Sequence, residues 1–114
     1  MRESEMFDPM KNLLGSKGYK ILSTNEGRKP GADIIAERHN RKLIMEMKGD
    51  SAALEVDLGT GIFQLLRHMR VDSNEEYALG LSEAYIKLVD KIKYPLKKLG
   101  ITVFIVNGNS YQFW

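Results

Sequence analysis

The chain has 114 residues and a mass of 13.0 kDa, with 43% hydrophobic and 28% charged residues. Those values fit one ordinary globular domain and argue against both disorder and two independent cores. It contains no cysteine, which excludes disulfide scaffolds, iron–sulfur clusters, thiol catalysis and cysteine zinc sites. Its 17 basic and 15 acidic side chains give a net charge of +2, so any attraction to a polyanion depends on where the positive charge lies.

No apolar run approaches the roughly 18 residues of a membrane span. The opening Met1-Arg2-Glu3-Ser4-Glu5-Met6-Phe7-Asp8 lacks the apolar stretch of a secretory signal. The expectation is a cytoplasmic protein with no membrane contact, folded as one domain over residues 1–114.

Met6, Phe7, Met10, Leu13 and Leu14 stand at helical spacing and predict an amphipathic helix over residues 3–14, ended by Gly15 and Gly18. Tyr19–Ser23 reads as a short strand and Thr24–Gly31 as a loop. Ala32–Glu37 and Lys42–Lys48 read as two strands around Arg38-His39-Asn40-Arg41. Leu58, Ile62, Leu65, Leu66 and Met69 mark a helix over 57–70 whose start Gly59 and Gly61 weaken. Glu76–Leu81 is a strand. Tyr85, Leu88, Val89 and Ile92 mark another helix, which kinks or restarts at Pro95 and stops at Gly100. The apolar run Ile101–Val106 is a buried strand, and Tyr111–Trp114, after the turn signal Asn107-Gly108-Asn109, is a candidate edge strand. The order α-β-β-β-α-β-α-β predicts a mixed central sheet with helices on both faces.

The hairpin carries the chemistry. A turn centred on His39-Asn40 sets Arg38 opposite Arg41, Glu37 opposite Lys42, Ala36 opposite Leu43, Ile35 opposite Ile44, Ile34 opposite Met45 and Asp33 opposite Glu46. A four-residue loop would keep this pairing. One face becomes Ala32, Ile34, Ala36, Leu43, Met45 and Met47, wholly apolar; a slip of one residue would scramble both faces. Asp33 opposite Glu46 is the one pair that opposes the hairpin, because like charges across a ladder repel. A divalent cation or a shared proton would relieve it. Lys48 shares the face of Glu46 and lies diagonal to Asp33, and Gly31 opposite Lys48 leaves open space. Two carboxylates, a lysine and a gap suit metal-assisted hydrolysis of a phosphodiester. An ion-paired surface patch, with Lys48 bridging both acids, is the other reading of the same residues.

Pro30-Gly31-Ala32-Asp33 followed by Ile44-Met45-Glu46-Met47-Lys48 resembles the PD-(D/E)XK nuclease superfamily, over roughly residues 3–106. The stretch from Glu5 to Gly18-Tyr19 is similar to the opening of archaeal Holliday-junction resolvases. The resemblance implies an α/β restriction-endonuclease-like α-β-β-β-α-β core. It implies Mg2+ or Mn2+ held by Asp33, Glu46 and the Met47 carbonyl, with Glu5 (Glu3 as its rival) added from the first helix. Lys48 would be the catalytic lysine, and Gln64 the glutamine on the helix after Glu-x-Lys. Two departures stand out: Gly31 and Ala32 separate Pro30 from Asp33, and the helix reads Gln64-x-x-x-His68 where some branches carry tyrosine.

The function implied is a Mg/Mn-dependent endonuclease cutting DNA, with RNA as the other nucleic acid. No base-reading element is visible, so structure-selective or partner-guided cleavage is expected. A domain this small covers little duplex, which predicts a homodimer or a larger DNA-processing partner. Arg28, Lys29, Arg67 and His68 are the candidate nucleic-acid contacts; Arg38, Arg41 and the lysine run Lys87–Lys98 are either solvated or further phosphate contacts. Asp50, Glu55 and Asp57 are either loop acids or added metal ligands. The alternatives are a non-catalytic nucleic-acid- or partner-binding module on the same fold, and a structural dimerisation domain.

Overall fold

The computed structural model describes residues 1–27 and 30–114; Arg28 and Lys29, expected to contact phosphates, lie outside the described residues. In chain order the elements are α1 (Glu3–Ser16), β1 (Lys20–Thr24), β2 (Ile34–Arg38), β3 (Arg41–Lys48), α2 (Leu54–His68) and β4 (Glu76–Ser82). A single 3-10 turn (Glu83–Tyr85) then leads into α3 (Ile86–Lys91), α4 (Lys93–Lys98), β5 (Ile101–Val106) and β6 (Tyr111–Gln112). The six strands form one sheet in the order β1-β2-β3-β4-β5-β6, parallel at β3-β4 and β4-β5 and antiparallel at the other three junctions. This is the mixed α/β sheet that the element order predicts, with the α-β-β-β-α-β core that the resemblance implies.

The hairpin adopts the expected register from Arg38–Arg41 to Ile34–Met45. His39 and Asn40 have φ of 55° and 62°. Two successive left-handed residues make the turn that matches strand twist, and asparagine tolerates that conformation better than most residues. The pairing stops at Ile34, however, so Gly31 does not face Lys48 as the extended register predicts. Gly31 instead lies in the preceding loop with φ of 120°.

Alternation along the strands divides the core into two. Ile34, Ala36, Leu43, Met45, Met47, Phe104 and Val106 pack with Met6, Phe7, Met10 and Leu14 of α1. Ile44, Leu79, Leu81, Val103 and Ile105 pack on the other face with Leu58 and Leu65 of α2, Tyr85, Val89 of α3 and Leu96 of α4. Each of these leucine-sized side chains contributes about 1.5–3 kcal/mol by leaving water. Ala32, expected on the α1 face, belongs to the α2 side, because strand alternation ends at Ile34. The expected helix break at Pro95 takes the form of two short helices, with Ile92 at φ −116° between them and Pro95 in the first turn of α4, where it needs no donor. Among the described residues no helix is long and apolar enough to cross a membrane.

Candidate functional site

β3 outruns β2. Glu46, Met47 and Lys48 remain paired on one side to Leu79, Gly80 and Leu81 of β4, while on the other side β2 has already ended. The Asp33 side chain closes that gap, accepting the Met47 N–H at Oδ2 over 2.7 Å. Its own carbonyl takes the Asn25 N–H at 2.8 Å. In an extended strand the N–H and C=O of one residue point the same way. The Met47 carbonyl therefore also looks toward Asp33, beyond the last β2 pair.

Glu46 projects to the α2 face and is only 4% exposed. Its carboxyl is pushed up to about 8, first by burial, then by the Asp33 charge and a hydrogen bond with Asp33, while Lys48 pulls the other way. Burial and the neighbouring Asp33 charge thus both favour the protonated form of Glu46. Oε1 of Glu46 lies 3.1 Å from His68 Nε2. Lys48 makes no ion pair or hydrogen bond among the described residues, so it does not bridge the acids as the surface-patch reading requires.

Two glycines let the neighbouring elements come this close. A Cβ at Gly61 of α2 would stand 3.2 Å from Lys48 Cγ, so the helix lies directly on the lysine stem. A Cβ at Gly49 would stand 2.2 Å from the Glu3 backbone nitrogen, so the start of α1 lies directly on the end of β3. The Asp50 N–H donates to the Met1 carbonyl at 2.9 Å beside it, and the Tyr85 hydroxyl donates to the Gly49 carbonyl from below at 2.8 Å. An open cleft of about 250 Å³ results, lined by Glu3, Lys48, Gly49, Asp50, Ser51 and Asp57.

The first-helix acid at this cleft is Glu3, not Glu5. Glu5 is exposed and turns back on its own helix start, accepting the Arg2 N–H at 2.8 Å. Glu3 is half-buried, and its carboxyl is raised by burial and by the Asp33 charge, with Lys48 opposing and Asp57 adding. The signal was in the spacing: Glu3 stands three and four residues before Met6 and Phe7, on the helix face that meets the sheet, whereas Glu5 stands on the opposite face. On α2, Asp57, Gly61, Gln64 and His68 share one face by the same arithmetic. Asp57 reaches the cleft and His68 reaches Glu46. The Gln64 Oε1 is buried and has no hydrogen-bond partner among the described residues. Asp50 is occupied by the chain's terminal ammonium and by the Ser82 hydroxyl, and these bonds hold its carboxyl below the usual range. Glu55 faces an outer groove. Arg67 is exposed, with its guanidinium over the Phe63 ring.

Among the described residues, no three histidine, aspartate or glutamate side chains converge into a ready metal cage. Magnesium does not require one: it keeps several waters and is held through one or two carboxylates. The Asp33 and Glu46 carboxyls, an adjacent backbone carbonyl and an orphaned buried acceptor on Gln64 fit such an ion.

No family model matches the chain, and no curated protein matches it by sequence. Two solved structures share its fold. An XisH family protein from Nostoc punctiforme superposes with a TM-score of 0.58 at 17% identity, over 85% of this chain and 86% of that one. A FdxN element excision controlling factor protein from Anabaena variabilis superposes with a TM-score of 0.60, also at 17% identity, over 89% of this chain and 88% of that one. At that identity the likeness speaks for the fold: the chain is an α/β domain with a restriction-endonuclease-like core.

Proposed function

We propose that the chain is a Mg2+- or Mn2+-dependent phosphodiesterase acting on DNA. One observation carries the reading: two carboxylates, Asp33 and a buried Glu46, stand close enough for the Asp33 charge to push the Glu46 carboxyl up, beside an unpaired Lys48 that lines an open cleft. Asp33, Glu46 and the Met47 carbonyl would hold the ion, with Glu3 the further acid at the cleft. The ion supplies charge neutralisation at the phosphate and a water made acidic. Lys48 places its ammonium where it orients the attacking water or takes up charge on a phosphate oxygen. Gln64 offers its free carbonyl oxygen to a donor at the site. Because Glu46 holds a proton in the metal-free chain at neutral pH, loading the site releases it.

Calorimetric titration of Mn2+ and Mg2+ into wild type and an Asp33→Asn/Glu46→Gln variant tests this, paired with cleavage assays on supercoiled, single-stranded and branched DNA. Wild type is expected to bind metal at pH 7 with release of close to one proton, since Glu46 titrates about one unit higher, and to nick DNA. The variant is expected to do neither. A wild type that binds no metal sinks the mechanism. A second reading, a DNA- or partner-binding module without cleavage, is favoured by the His68 contact, which occupies one Glu46 oxygen. One matched structure is itself named as an excision controlling factor. Metal and DNA binding without cleavage on any of the three substrates would select it.

A further inference from the structure

His68 touches the site, yet the mechanism above gives it no part. It is the last residue of α2, and its Nε2 lies 3.1 Å from Oε1 of Glu46. The contact follows from the fold. β3 and β4 are parallel neighbours, so α2 between them is a crossover helix that runs back along β3. Gly61 seats that helix on the Lys48 stem. Seven residues later His68 has advanced about 10.5 Å along the helix axis, while Glu46 lies two residues, about 6.6 Å, back along the strand. A helical side chain leans toward the start of its own helix, and this lean carries the imidazole back over the difference. The Tyr77 hydroxyl holds the same residue from β4, donating to the His68 carbonyl at 3.5 Å.

The chemistry of the pair decides which atom carries the hydrogen. A carboxylate that holds an ion is charged and can only accept hydrogen bonds. Nε2 must then be the N–H side of the ring, because a bare ring nitrogen would set its lone pair against the oxygen. One donated bond pins Oε1 and leaves the second oxygen of Glu46 free. Carboxylate ligands of metals are commonly fixed by such an outer hydrogen bond. The imidazole is 30% exposed and the glutamate side chain 5%, so His68 closes the Glu46 side of the site. A ring turned inward on a buried carboxylate does not offer that nitrogen to a phosphate, the role the sequence suggests for it.

We infer that His68 is a positioning residue: through the Nε2–H bond to Oε1 it holds the Glu46 carboxylate so that its other oxygen, with Asp33, takes a divalent cation. The inference rests on the metal reading and extends it, giving the end of α2 a share in metal affinity.

Calorimetric titration of Mn2+ into the full chain tests it, with wild type, His68→Phe and His68→Gln compared at one pH. His68→Phe keeps a flat ring and loses the donor; it is expected to bind Mn2+ about 10–100-fold more weakly. His68→Gln keeps an N–H donor and is expected to recover most of that loss. Thermal melts of the metal-free variants check that each is folded. Anisotropy of a labelled DNA duplex, measured in chelator, is expected to be the same for all three. Several results overturn the inference while leaving the metal reading intact: equal Mn2+ affinity in wild type and His68→Phe, or a His68→Gln variant that is folded and as weak as His68→Phe. Tighter Mn2+ binding in His68→Phe would show the imidazole competing with the ion, and overturns it too. A loss of DNA binding in chelator with Mn2+ affinity unchanged would return His68 to a phosphate contact. A wild type that binds no Mn2+ removes the metal reading and this inference with it.

Discussion

Gly49→Ala reports on how the cleft is built, because it changes no charged group and adds one carbon. Gly49 does not adopt a positive φ, so alanine is conformationally acceptable there; space is the only obstacle. The new Cβ would stand 2.2 Å from Glu3 N, 2.7 Å from Arg2 C and 2.8 Å from Glu3 Cα. All three are backbone atoms that no rotamer change can move. Relief to ordinary contact needs the start of α1 to retreat by more than about 1 Å. Overpacking of that kind costs about 1–3 kcal/mol, or roughly 5–15 °C in melting temperature for a domain of this size. The retreat also carries Glu3 away from Lys48 and Asp33. A calorimetric melt and a Mn2+ titration measure the two consequences together: a lower midpoint, and weaker metal binding with Asp33 and Glu46 intact. Gly15→Ala, at a position of the same helix with nothing within 4 Å of the added carbon, is the control and should be neutral or stabilising by up to about 1 kcal/mol. If Gly49→Ala melts with wild type and binds Mn2+ equally well, the start of α1 does not bear on the cleft and the placement of Glu3 there is wrong.

The metal-free chain should lose stability as pH rises. Glu46 titrates near 8 when folded and near its usual 4.5 when unfolded. Between those values the folded state holds a proton that the unfolded state has lost, so stability falls from about pH 5 to about pH 8 and levels off above. The raised Glu3 carboxyl adds to the same slope. Denaturant titrations across that range should show the decline in wild type and a much flatter profile in Glu46→Gln; equal slopes would refute the raised Glu46 carboxyl. Tyr85→Phe removes the hydroxyl that donates to the Gly49 carbonyl. It should cost about 1–2 kcal/mol and weaken Mn2+ binding in proportion, measured by the same melts and titrations.

The hairpin was legible because its residues argue with one another. Like charges at Asp33 and Glu46, the opposite pair Glu37–Lys42 and an apolar face from Ile34 to Met47 admit one register, and the structure has it from Arg38–Arg41 to Ile34–Met45. What the alternating pattern could not show was where it stops. A side chain that replaces a backbone partner, as Asp33 does for Met47, leaves the pattern intact while ending the strand. The choice between Glu3 and Glu5 was readable from helix spacing, whereas the bond that turns Glu5 back to the Arg2 N–H shows only in the structure. Gly49 and Gly61 were opaque for another reason. A glycine needed for close approach looks like any other until the element lying against it is known, and those contacts join β3 to α1 and to α2. In a helix propensity argument Gly61 reads as a weakness; in the fold it is the seat of the Lys48 stem.

Asp33 has a consequence for how sister sequences should be read. One of its oxygens is committed to the Met47 N–H, so the residue ends a strand whether or not any ion is ever bound. A lineage that abandoned the chemistry would still need an acceptor there, and aspartate or asparagine would persist for structural reasons alone. Lys48 and Gln64 carry no such obligation: neither side chain makes a hydrogen bond among the described residues. Their retention or drift in descendants, not that of the aspartate, is the record of whether the cleft is still in use.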